Sequence, residues 1–289
     1  MQLDIFEHGH EVMLRNDIVD ALQRHDALAA RAACDRLADE YPGDDVQSTA
    51  RALLDTLEQT HCCSLHDHSA LKHARQLVDA MHPLADRLFG AQAATRWLAP
   101  LWERLALGAQ ALAFRADSAE DHAAPLWLRA GNWTAAVQAI DAIESWRRVP
   151  APLAWMTEAR LRLFGLQQTW PLIAELGWLS PARLDELLRR SEEPLLVALV
   201  RKFGQNFEGE GNAGDAAWFA AWALIEQPNI AEHASAAQAS QQTIPERAFR
   251  TLVELLGLER QGRQRDIVER RKTLRDLHPS LYAAYIKTR

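Results

Sequence analysis

Cysteine is scarce, with three in 289 residues: Cys34, Cys62 and Cys63. An odd set with two neighbours is not a disulfide framework, so a reducing cytoplasm is the expected setting. β-Branched aliphatic residues are scarce as well. Val and Ile together number 20 against 91 for Ala and Leu, a balance that excludes a sheet protein and favours helices. Long apolar runs are missing. The longest uncharged one, Ala216 to Ile225, has ten residues, whereas a membrane-spanning helix needs about 20. The opening segment MQLDIFEHGHEVMLRND lacks a basic start followed by an apolar run and does not read as a secretory signal. Positive charge is in deficit. A formal net charge of −7 disfavours non-specific nucleic-acid binding by the whole surface.

Catalytic motifs are missing too. No Gly-x-Ser-x-Gly elbow occurs. His10-Glu11 resembles the start of a zinc-protease helix, but Leu14 stands where the second histidine belongs. Gly204, Gly209, Gly211 and Gly214 do not form a phosphate cradle. No Lys-Ser/Thr follows them, and Glu208 and Glu210 would repel a phosphate. The chain reads as a non-enzyme with no cofactor.

What is present is helix. Turn residues divide the chain into about fifteen helical segments of roughly 10–17 residues joined by short links. Asp44 with Gln47 has capping-box spacing, and Ser180-Pro181 is a helix start with a capping hydroxyl. Pro83 is expected to separate a helix ending at Met81 from one starting at Leu84, and Pro100 to kink a helix over 93–112. Helices are expected over 153–164 and 167–176. Short links favour antiparallel neighbours. The expected fold is therefore all-α, a right-handed stack of antiparallel helical hairpins.

Composition shifts along the chain. All ten tryptophans lie at or beyond Trp97, while eight of the eleven histidines lie at or before His82. That suggests His/Cys-containing helical hairpins over 1–90 and a Trp-rich helical repeat region over 91–289, continuous with the first. Trp218 and Trp222, four residues apart, belong either to the core or to a binding groove.

One stretch carries a family resemblance. Asp26 makes a tight turn, and Ala30 is small enough for two helix backbones to cross closely. Cys34 and Leu37 supply apolar rungs four and seven residues later, and Pro42 ends the helix twelve residues after the alanine. Gly131-Asn132-Trp133, with Ala136, Ile140 and Ile143, repeats the turn and the rungs. Arg148 there occupies the proline position, and Pro150 comes two residues later. These segments resemble the second helix of a tetratricopeptide repeat. The first-helix positions depart from that family's pattern: they hold Leu14, Asp17, Ile18 and Ala21 before the first turn, and Glu120, Ala123, Ala124 and Trp127 before the second. The resemblance implies a helical superhelix whose concave face binds a peptide or partner helix, and it implies no chemistry.

Two further features bear on function. The connector His61-Cys62-Cys63-Ser64-Leu65-His66-Asp67-His68 concentrates imidazole and thiol ligands. It lacks the Cys-x-x-Cys spacing of zinc modules. A metal- or redox-responsive protein using His61, Cys62, Cys63, His66 and His68 is the alternative to an adaptor. The second feature is a basic run, Arg260 to Arg275, with seven cations against Asp266 and Glu269. Arg263, Arg270, Arg271, Lys272 and Arg275 would serve an anionic partner such as RNA or an acidic peptide. The run lacks the interleaved aromatics of single-strand binders, so nucleic acid is the less favoured partner.

Overall fold

Residues that favour helix and little else produce helix throughout. In the computed structural model, the backbone is described for residues 2–62, 65–238 and 243–289, and the side chains for 9–60, 65–238 and 243–289. Among the described residues there are fifteen α-helices, four short 3-10 turns and no strand. None of these helices is long and apolar enough to cross a membrane. The chain divides into two compact units, residues 1–132 and 133–289.

The first unit contains α1 (Gln2–Gln23), α2 (Ala27–Glu40), α3 (Asp45–Cys62), α4 (His68–Phe89), α5 (Ala91–Gly108) and α6 (Ala123–Arg129). Each helix packs chiefly against its neighbours in sequence. Leu14, Ile18 and Leu22 of α1, Leu37 of α2, Leu53 and Leu57 of α3, and Leu71 and Val78 of α4 are buried. Their three-to-four-residue spacing is the helical period that keeps one stripe of each cylinder out of water. Ala30, Cys34 and Leu37, the rungs of the repeat-like segment, are buried with them.

The α1–α2 corner shows how side chains fix a turn. His25 adopts a left-handed conformation (φ 56°), and Asp26 caps α2 by accepting the Ala29 N–H at 2.9 Å. The Trp97 indole N–H donates to the Leu22 carbonyl at 2.6 Å, one of the acceptors that a helix end leaves open. The His25 ring lies on Trp97 with centroids 5.1 Å apart, and its Nε2 bonds the Trp97 carbonyl at 3.0 Å. One aromatic residue of α5 therefore anchors the corner. The compositional shift near residues 83–96 falls inside this unit, across α4 and α5.

The second unit contains α7 (Trp133–Asp141), α8 (Pro150–Leu179), α9 (Pro181–Arg190), α10 (Pro194–Asn206), α11 (Ala216–Glu226), α12 (Ala231–Ala234), α13 (Ile244–Gln261), α14 (Gln264–Leu277) and α15 (Pro279–Lys287). The apolar α11 is its centre and packs against α8, α9, α10, α13 and α15. Helix α8 carries a break at Gly165 (φ 76°, ψ −179°), a conformation open to glycine alone.

Some local expectations give way to packing. Pro83 lies inside the single helix α4, with Met81 and Ala85 buried beside it. Tertiary burial outweighs the one backbone bond that a proline removes. Gln47 does not close a capping box. Asp44 accepts the Val46 N–H at 2.8 Å, while the Gln47 amide donates to the Tyr41 and Leu37 carbonyls at the end of α2. Ser180 precedes Pro181 at the start of α9, but its hydroxyl makes no cap bond.

Candidate functional site

The basic run lies on the last turn of α13 and on α14. It is largely neutralised where it stands. Arg260 meets Glu232 at 2.9 Å, Arg263 meets Asp266 at 2.5 Å, and Arg270 meets Glu254 at 2.8 Å. Arg271 meets Glu259 at 3.4 Å and Arg275 meets Asp276 at 3.6 Å. Arg265 and Lys272 are the two members of the run without an ion pair among the described residues, and both are exposed. Glu232 of α12 and Glu254 and Glu259 of α13 lie outside the run and offset part of its local excess of +5, while Asp266 is within it and Asp276 directly follows it.

Arg271 has a structural role besides. It donates to the Tyr285 hydroxyl at 3.2 Å, and Tyr285 bonds Glu259 in turn. Arg289 adds a bond to Glu259 at 2.8 Å. Both guanidinium groups stack on the Tyr285 ring, 5.5 and 5.2 Å from its centroid. The hydrogen bonds to Tyr285 and Glu259 raise the Arg271 pKa above its ordinary value. Burial, with the bond to Glu259, pushes the Tyr285 phenol up. The cluster fastens α15 to α13 and α14.

Between α13 and α14 runs an open groove of about 490 Å³. Gly257 and Leu258 are its apolar part, and Glu254, Gln261, Arg263, Asp266, Glu269 and Arg270 line the rest. The Arg263–Asp266 and Arg270–Glu254 pairs therefore belong to its walls.

A second recess, of about 330 Å³, lies where the end of α10 meets α11 and α15. Phe207, Trp222 and Leu281 are among its apolar lining, and Asn206, Glu208, Ser280 and Lys287 are its polar groups. The aromatics there are locked in place. Phe207 stacks on Phe203 at 4.6 Å and on His278 at 5.9 Å, and Trp218 contacts His278 at 4.2 Å. His278 Nδ1 accepts the Leu281 N–H at 3.0 Å and so caps α15. Burial lowers the His278 pKa from its ordinary value, which keeps the capping nitrogen free to accept.

The sequence-predicted His/Cys set divides. Cys63 and the side chains of His61 and Cys62 lie outside the described residues. His68 opens α4, and its Nε2 bonds the Ala113 carbonyl at 2.8 Å, while Asp67 caps α4 through the Ala70 N–H. Among the described residues no three His, Cys, Asp or Glu side chains stand close enough to hold a metal ion. The nearby His122 is buried. Its Nδ1 accepts the Ala124 N–H at 3.2 Å and caps α6, and its ring meets Phe114 edge-on at 5.7 Å. Burial, aided by the nearby His68, lowers its pKa from 6.5 to about 4.

Among the described residues three carboxylates are buried, and each holds a guanidinium. Asp121 accepts the Arg75 Nε–H at 2.9 Å. Glu175 takes a two-pronged bond from Arg147, at 2.5 and 2.7 Å, and a third from the Gln238 N–H at 2.7 Å. Glu246 is bonded by Arg250 at 3.0 and 3.1 Å. Glu175 joins α8 to the segments that carry Arg147 and Gln238, whereas Glu246 pairs with Arg250 within α13, and none of these acids lines either recess.

The α10–α15 recess was not legible in the sequence. Its lining comes from three separated segments, and an exposed Glu, Lys or Ala carries no signal of its own. No family model, curated protein or solved structure matches the chain.

Proposed function

We propose that the chain is a protein-interaction scaffold or adaptor. In this reading it is a right-handed, tetratricopeptide-like stack of helical hairpins that binds a peptide or partner helix on a concave helical surface. The observation that supports it most is the open groove between α13 and α14. It offers apolar contact at Gly257 and Leu258 and paired charges on its walls, which suits a helix or strand of another protein more than a reacting small molecule. Sequential packing of α1 to α6 also agrees with a stack, in which each hairpin covers the apolar surface its predecessor leaves. The sparse cysteines favour work in the cytoplasm. No observation among the described residues favours the metal- or redox-responsive reading, and the pairing of the basic run removes most of the support for an anionic partner.

The test is co-purification from native cells, followed by cross-linking and mass spectrometry. The reading predicts a partner whose cross-links reach residues of the α13–α14 groove or the α10–α15 recess. A synthetic peptide of the cross-linked segment should compete with that partner. No partner retained at physiological salt, or one that touches neither recess, overturns it.

A further inference from the structure

We infer that the α10–α15 recess is a side-chain pocket for a peptide that carries an apolar residue flanked by one basic and one acidic residue. The inference rests on the peptide-binding reading above and names what the peptide must look like.

Three observations carry it. First, the recess has an apolar floor. Trp222 and Leu281 are 2% and 1% exposed, and both line it together with Phe207. Phe207 is held by Phe203 and His278, so the floor is set before any ligand arrives, which lowers the entropic cost of binding. Second, the wall is small. Ser280, Ala284 and Lys287 recur at i, i+4 and i+7 on one side of α15, while Leu281 and Tyr285 occupy the buried side. Small residues at the first two positions leave about 330 Å³ of space, near the lower end of the roughly 300–1,000 Å³ typical of pockets that take small groups. Third, the rim carries one charge of each sign. Glu208 and Lys287 both line the recess. Neither has an ion-pair partner among the described residues, and they do not pair with each other. Elsewhere in this unit exposed cations are commonly neutralised, as at Arg260, Arg263 and Arg270. An unpaired anion and an unpaired cation beside an apolar floor complement a ligand that is basic on one side and acidic on the other.

The test uses the full chain and three capped heptapeptides with a central phenylalanine. Their flanks are Lys and Glu, Lys and Lys, or Glu and Glu, and binding is followed by amide NMR titration. The mixed-charge peptide is expected to bind about threefold more tightly than either like-charged peptide, the scale of one exposed ion pair. Glu208→Lys should move the preference to the Glu/Glu peptide, and Lys287→Glu should move it to the Lys/Lys peptide. Neither outcome depends on the direction in which the peptide lies. Ala283→Phe, at an exposed position that lines the recess, should weaken all three peptides at least tenfold without altering the fold. Equal binding of the three peptides, preferences that do not follow the charge changes, or no binding at all overturns the inference. A native partner that still binds the Ala283→Phe variant also overturns it, while leaving the broader adaptor reading in place.

Discussion

Acid should destabilise the first unit through one histidine. His122 is buried and caps α6 with a ring nitrogen that must stay unprotonated to accept the Ala124 N–H. Its folded pKa is about 4, against an ordinary 6.5. The neutral form is therefore favoured in the native state, and the unfolded chain binds the proton more readily. The stabilisation is fully present above about pH 6.5 and is lost as pH falls, the loss reaching about 3 kcal/mol by about pH 4. His122→Asn isolates the effect, because an asparagine oxygen caps a helix as well and does not titrate. Urea unfolding of both proteins at steps between about pH 7 and pH 4 gives the comparison. Groups remote from position 122 are common to both proteins and cancel in the difference. Any cavity left beside Phe114 lowers the variant by an amount independent of pH. The wild type should lose about 3 kcal/mol more than the variant across the window. Parallel pH profiles for the two proteins would refute the reasoning.

Three shorter predictions follow from particular contacts. Gly165→Ala should destabilise the second unit by about 1–3 kcal/mol in urea unfolding, from backbone strain at φ 76° alone, since a Cβ there meets no atom within 4 Å. Glu175→Ala should cost about 3 kcal/mol, because Arg147 and the Gln238 N–H both lose their acceptor. Glu175→Gln, which keeps an acceptor oxygen, should cost less. Arg265→Ala with Lys272→Ala, which removes the two cations of the basic run that have no ion pair, should leave retention on heparin unchanged if the run is a solvated face. A clear loss of retention would restore the anionic-partner reading.

How much was legible depended on the range of the interaction. The span Gln264–Leu277 has the same ends in sequence and structure, because a turn at Gly262 and His278-Pro279 bound it locally. The break at Gly165 falls in the gap expected between the helices over 153–164 and 167–176. Pro83 misleads at the same range, since its local cost is overridden by the burial of Met81 and Ala85. The tryptophans could not be sorted from spacing. Seven of the ten are buried, Trp222 among them, and that one also floors a recess. The basic run was plain in the sequence, but its acidic partners Glu232, Glu254 and Glu259 were not, because they lie on other turns and helices.

Composition was enough to make this chain helical. An excess of Ala and Leu over Val and Ile acts through backbone bonds four residues apart, which need no distant partner. Packing in three dimensions set which charges are spent on one another and which remain free, and where helices meet imperfectly enough to leave a recess. Those outcomes depend on side chains brought together from separated segments, as Glu208, Trp222 and Lys287 are, and no local pattern encodes such a meeting.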